Sequence, residues 1–169
     1  IGSVLKNLTL PVEVEITSNI QPVEGEIIVV KALKSQNKYG EMELFDGKMT
    51  KIKRGDIIAG ALGQRKALEG IVGMIPKNLK VNDTIHILNL GGVMGIATSW
   101  NPDFVDHPLP VQVLGAITQG NSTLNIQDFS LKPALTLHKS APIVLILGSS
   151  MGVGKTTIVQ EVVNLLAKR

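Results

Sequence analysis

The chain has no cysteine, few aromatics and no long apolar run, and each absence closes a class of explanation. Without cysteine there is no disulfide framework, no thiolate zinc site and no thiol chemistry. Aromatic residues make up 3% of the sequence, so a core must be filled by valine, isoleucine and leucine. The longest apolar run, Ile143 to Leu147, falls far short of the ~20 residues that span a bilayer. The opening "IGSVLKNLTL" lacks the basic, apolar and small-residue order of a signal peptide. These features lead to the expectation of a cytoplasmic protein with no membrane partner.

Basic residues are also unconcentrated. The formal net charge is +3, but lysines and arginines are spread along the chain, so the electrostatic footprint of a nucleic-acid binder is missing and no nucleic-acid partner is expected. The chain does not open on methionine and stops about one helix after its most informative motif. It therefore reads as a fragment, long enough for one domain plus part of another.

What is present changes character near residue 130. Before it the hydrophobic period is two and turns are frequent. "VEVEI" (Val12 to Ile16) alternates, "EIIVV" (Glu26 to Val30) is a β-branched run, and Ile71 to Ile75, Ile85 to Leu90 and Val111 to Ile117 are further strand-length segments. Asp46-Gly47 stands between two such segments and predicts a tight type I′ hairpin. "KRGDII" and "KVNDTI" echo each other as a tight turn before an aspartate and a strand, suggesting recurring barrel corners. Residues 1–130 are expected to form a small β-barrel or sandwich. Residues 131–141 read as a linker.

From residue 142 the pattern is strand, glycine-rich loop, helix. Ile143 to Leu147 predicts a strand covered on both faces. Ile158, Val159, Val162, Val163 and Leu166 recur at helical spacing. Between them lies "GSSMGVGKTT", Gly148 to Thr157. This order puts the free N–H groups of a first helical turn around a hollow that suits an anion. Gly148, Gly152, Val153, Gly154, Lys155, Thr156 and Thr157 are the expected nucleotide-binding residues. Lys155 would neutralise phosphate charge in catalysis, and the Thr156 hydroxyl would hold Mg²⁺. ATP and Mg²⁺ are the expected cofactors. The strict Walker A spacing would put the first glycine at Ser149, whereas this chain has Gly148 one residue earlier.

That spacing resembles the nucleotide loop of dethiobiotin synthetase and its relatives: a glycine, five residues, then Gly-Lys-Thr, matched by Gly148, Gly154, Lys155 and Thr156. The resemblance covers residues 141–169. It implies the first β-loop-α unit of an α/β P-loop domain and an ATP-dependent phosphoryl-transfer or ligase-type reaction on a small molecule. Two positions depart from the pattern. Ser150 replaces the acidic residue usual in that loop and also occupies the place of the signature lysine of the broader deviant-Walker group, while Met151 replaces a glycine. A β domain ahead of a P-loop domain is also similar in architecture to RNA 5′-hydroxyl polynucleotide kinases of the cleavage-factor type.

Other features invite blander explanations. Gly60 to Gly70 and Asn89 to Trp100 are glycine-rich and would shape a pocket, with Arg65 and Lys66 meeting an anion, or would mark barrel corners. His86, His107 and His138 show no ligand spacing. A different functional class stays open: a β-rich binding or regulatory module whose attached loop is not catalytic in this chain. A homo-oligomer is compatible with either reading.

Overall fold

The computed structural model describes every residue except Val12, Asn37, Leu68, Glu69, Leu137, His138, Ser140, Met151, Lys168 and Arg169. Residues Ile1–Leu131 form one compact unit and Lys132–Arg169 a second. The first is almost wholly β: β1 (Glu15–Thr17), β2 (Ile27–Ala32), β3 (Glu41–Glu43), β4 (Met49–Lys51), β5 (Ile57–Leu62), β6 (Ile71–Met74), β7 (Thr84–Ile87), β8 (Val93–Trp100), β9 (Leu109–Gln119) and β10 (Ser122–Thr123).

The sheet closes on itself. β2 lies antiparallel between β5 and β9, β7 lies antiparallel between β9 and β8, and β8 returns to β5 in a parallel pairing of Ala61 with Val93 and Leu62 with Met94. A closed ring is a barrel and not a sandwich, because no pair of facing sheets is needed to bury its inner face. Ile28, Val30, Ala32, Leu62, Ile85, Ile87, Met94, Val111 and Val113 fill the interior. The opposite face of β2 is buried too: Ile27 and Val29 pack with Leu5, Ala61 and Ile117. Burial on both faces explains why this strand reads as an unbroken apolar run. The core is aliphatic, as the scarcity of aromatics requires, and no aromatic side chain is buried among the described residues.

The echo between "KRGDII" and "KVNDTI" becomes a matched pair of corners. In each, an aspartate accepts a hydrogen bond from a lysine N–H three residues back, Asp56 from Lys53 and Asp83 from Lys80, both at 2.8 Å. The residue before each aspartate is left-handed, with φ of 95° at Gly55 and 74° at Asn82. Glycine and asparagine are the residues that tolerate this region. Each corner is then tied to a strand by a reciprocal pair of backbone bonds, Gly55 and Asp56 to Ala32, and Asn82 and Asp83 to Val113. Lys31 pairs with Ile57, Gln112 pairs with Thr84, and Lys31 and Gln112 pair with each other. The four strands β5, β2, β9 and β7 are therefore related by a local two-fold axis through the Lys31–Gln112 pair.

Two sequence expectations need correction here. "VEVEI" supplies only the short β1, because its ladder with β9 begins at Glu15↔Thr118 and β9 then turns at Gly120 into β10; Val12 lies outside the described residues. The Asp46-Gly47 hairpin exists, joining β3 to β4, but it is not type I′. Only Gly47 is left-handed, at φ 82°. Gly47 N–H donates to the Leu44 carbonyl at 2.9 Å and Leu44 N–H to the Lys48 carbonyl at 2.8 Å, which makes a three-residue turn with a glycine bulge. The Asp46 carboxylate accepts from Lys48 N–H at 3.1 Å and stabilises this form. No atom lies within contact distance of a Cβ built at Gly47, so strain there is purely conformational. Gly47→Val should cost about 1–2 kcal/mol of barrel stability; an unchanged midpoint in urea unfolding would contradict the left-handed assignment.

Among its described residues the second unit contains one helix, α1 (Lys155–Leu166). Ile143 to Leu147, expected as a strand, has no strand pairing, and its described side chains are largely exposed, Leu147 by 77%. A strand is held by its ladder, and no described segment pairs with this one. The apolar stripe on α1 does form, but Ile158, Val159, Val163 and Leu166 are all exposed.

Candidate phosphate-binding loop

The loop from Gly148 to Thr157 is built around its lysine. Gly154 stands at the helix N-cap in a left-handed conformation, φ 86°, and Gly152 is left-handed at φ 75°. Both positions are open to glycine at no steric cost and strained for other residues. Lys155 is the first residue of α1, yet its side chain turns back, and Nζ donates to the Ser150 carbonyl oxygen. The ammonium therefore sits over the loop and not out along the helix.

The displaced first glycine has a steric explanation. A Cβ at Gly148 would stand 2.6 Å from Val153 Cγ2 and 3.0 and 3.1 Å from Cγ and Cδ of Lys155. The first of these distances is shorter than real Cβ contacts and the other two are tight, so Val153 and the lysine stem both crowd Gly148. Ser149 is free to carry a side chain. The steric demand for a glycine thus falls one place before the position the strict pattern gives it.

The electrostatics favour an anion. The first turn of α1 has no acidic residue, and the N–H groups there have no helical acceptor by construction. Lys155 is close at hand. Thr156 and Thr157 are exposed in the same turn. The described residues contain no group of three histidine, cysteine or acidic side chains able to hold a metal. A hydroxyl such as Thr156 suits Mg²⁺, which typically takes one or two protein oxygens and completes its shell with water and phosphate.

The other candidates sort differently. Arg65 is an internal bracket: its guanidinium donates to the Tyr39 hydroxyl at 2.7 Å and to the Leu88 carbonyl, and it lies 5.8 Å from the Tyr39 ring centroid. Its Nη1 makes both bonds, and the residue is half-buried; Lys66 is exposed. The Nδ1 atom of His86 accepts the Ala97 N–H at 3.3 Å, and burial holds its pKa below the ordinary imidazole value. His107 meets Trp100. His138 lies outside the described residues.

Glu26 was legible only as part of a strand, and the structure makes it distinctive. It is the one buried charged residue among those described, 1% exposed. Its Oε1 accepts the Gln21 N–H at 3.0 Å, while Oε2 has no hydrogen-bond partner. Burial raises its pKa above the ordinary value of 4.5, against smaller opposing effects of Gln21, the Thr123 side chain and the Val23 backbone. The folded state then binds a proton more tightly than the unfolded state. The cost of burying the charge is absent at low pH, and stability is lost as pH rises from the ordinary carboxyl value through the raised one. Glu26→Gln should therefore gain in melting temperature relative to the parent as pH is raised toward neutrality. A constant difference between the two proteins from pH 4 to 7 would exclude a raised pKa.

Comparison with protein-family models, with curated proteins and with solved structures gives no match to this chain. No described helix is long and apolar enough to cross a membrane.

Proposed function

We propose that Gly148–Thr157 binds the phosphates of a nucleotide, with ATP and Mg²⁺ as the ligand pair. The observation that carries this reading is the folded-back Lys155, its stem packed 3.0 Å from where a Cβ on Gly148 would stand and its ammonium held on the loop beside a helix N-terminus. A glycine-rich linker has no reason to build that arrangement. In this reading Lys155 exchanges the Ser150 carbonyl for phosphate oxygens, the backbone N–H groups of Gly152 to Thr156 bind the remaining oxygens, and Thr156 is the Mg²⁺ ligand. When bound, the metal neutralises charge on the outer phosphates. The reaction class that such a cradle serves is phosphoryl transfer, where positioning and charge neutralisation do most of the catalysis. The parent enzyme would be dethiobiotin-synthetase-like and act on a small molecule, with the barrel as an accessory or substrate domain.

Titration calorimetry with ATP and Mg²⁺, combined with amide hydrogen exchange, tests this. Saturable binding with new protection at Gly152 to Thr156 is expected. Binding that leaves those amides unchanged would overturn the assignment.

A further inference from the structure

The barrel carries a second, unrelated feature. A groove of about 500 Å³ is lined by Lys34, Ser35, Gln36, His86, Trp100 and His107, among others. All of these residues belong to the first compact unit, so the groove is independent of the phosphate-loop reading.

Two independent properties of the groove point to one kind of ligand. The first is a flat apolar wall. In a chain with 3% aromatics, the single tryptophan is spent here and not in the core. Trp100 is 41% exposed, with the His107 ring edge-on at 6.1 Å between centroids. An exposed indole gives a planar ring a stacking surface.

The second property is an excess of hydrogen-bond donors. The Nδ1 of His86 already accepts from Ala97 N–H, so the neutral ring carries its proton on Nε2 as a donor. The Ser35 Oγ accepts from Arg54 N–H at 2.8 Å, which leaves its O–H to donate. Gln36 Nε2 is taken by the carbonyls of Lys38 and Tyr39 at 2.9 and 3.3 Å, and only Oε1 remains. Asp106, the only acid among the described residues lining the groove, forms an exposed ion pair with Lys38 at 3.3 Å. The Lys34 ammonium and the indole N–H have no hydrogen-bond partner among the described residues. What remains is an ammonium, an imidazole N–H, a hydroxyl and an indole N–H, against the Gln36 amide oxygen and the Asp106 carboxylate, whose charge Lys38 offsets.

We propose that this groove binds a small planar anion, an aromatic or heteroaromatic ring bearing a carboxylate or phosphate, with the ring against Trp100 and the charge among Lys34, Ser35 and His86. The volume is within the range of small-molecule sites. Gln36 Oε1 would accept one ring N–H or hydroxyl if the ligand carries one.

Because the chain has one tryptophan, its indole N–H gives one resonance in a ¹⁵N-correlation spectrum, and that resonance is the reporter. The full chain carrying Lys155→Ala, which removes the loop lysine, is titrated with benzoate and with adenosine 5′-monophosphate. Cyclohexanecarboxylate and inorganic phosphate are the matched anions without a flat ring. A saturable shift with at least one aromatic anion is expected, with affinity about tenfold or more above its matched control. Benzoate alone identifies an aromatic carboxylate as the ligand class; adenosine 5′-monophosphate alone identifies a nucleotide. Lys34→Gln, at an exposed position that leaves the fold intact, should weaken binding about tenfold, whereas Lys51→Gln, exposed and not among the lining residues, should leave it unchanged. The proposal is overturned by no saturable shift with either aromatic anion up to about 10 mM, by equal affinity for the ring-free controls, or by Lys34→Gln binding like the parent.

Discussion

Lys155→Ala should weaken binding of ATP with Mg²⁺ by about 100-fold, the loss expected when a charge-assisted phosphate contact is removed. The melting of the barrel should not change, since Lys155 belongs to the second compact unit and to no buried cluster. Any phosphoryl transfer that the loop serves should fall with it. Loss of a positive charge anywhere near a nucleotide would weaken binding somewhat, so a second substitution is needed that changes no charge. Gly148→Ala places a Cβ 2.6 Å from Val153 Cγ2 and 3.0 Å from Cγ of the lysine stem. Val153 can turn aside, but the lysine stem must shift by a few tenths of an ångström from its place over the loop. Calorimetric titration should show Gly148→Ala losing affinity with its charge intact. If Gly148→Ala binds as the parent does while Lys155→Ala does not, the lysine acts as a mobile surface charge and the loop is not the preorganised cradle described above.

The second large effect lies at the seam where the barrel closes. At Gly60 on β5, an added Cβ would stand 2.3 Å from the Gly92 carbonyl oxygen and 2.7 Å from Met94 Cε. A methionine can move aside. A backbone oxygen next to the β5–β8 pairing cannot, because Gly92 also accepts from Ala61 N–H at 3.1 Å. Gly60→Val should therefore force the seam apart and cost about 3 kcal/mol, the upper part of the range for overpacked sites. Equilibrium urea unfolding measures it. Gly47→Val is the natural comparison, since it strains one exposed turn and displaces nothing; a Gly60→Val protein no less stable than Gly47→Val would mean that β5 and β8 are not in register as described.

The features readable from sequence are those decided by a few neighbouring residues. The aliphatic composition requires an aromatic-free core. The Asp46-Gly47 pair marks a hairpin, the two Asp-terminated corners mark strand starts, and Gly-Lys-Thr ahead of an apolar stripe marks a helix N-terminus with a lysine beside it. Each rests on φ preferences, side-chain-to-backbone hydrogen bonds or helical spacing, which act within a turn or two of chain. Tertiary structure decided the rest. Whether the strands made a barrel or a sandwich depended on β8 meeting β5, and the two-fold relation of the corners depended on Lys31 finding Gln112; neither pairing has a local signature. The hairpin's turn type was set by which residues paired across it, the burial of Glu26 by segments far along the chain, and the use of Arg65 as a bracket by Tyr39 and Leu88. Ile143 to Leu147 shows the same limit from the other side: its sequence favours a strand, but a strand exists only where another strand accepts its hydrogen bonds, and that partner is not a property of the five residues themselves.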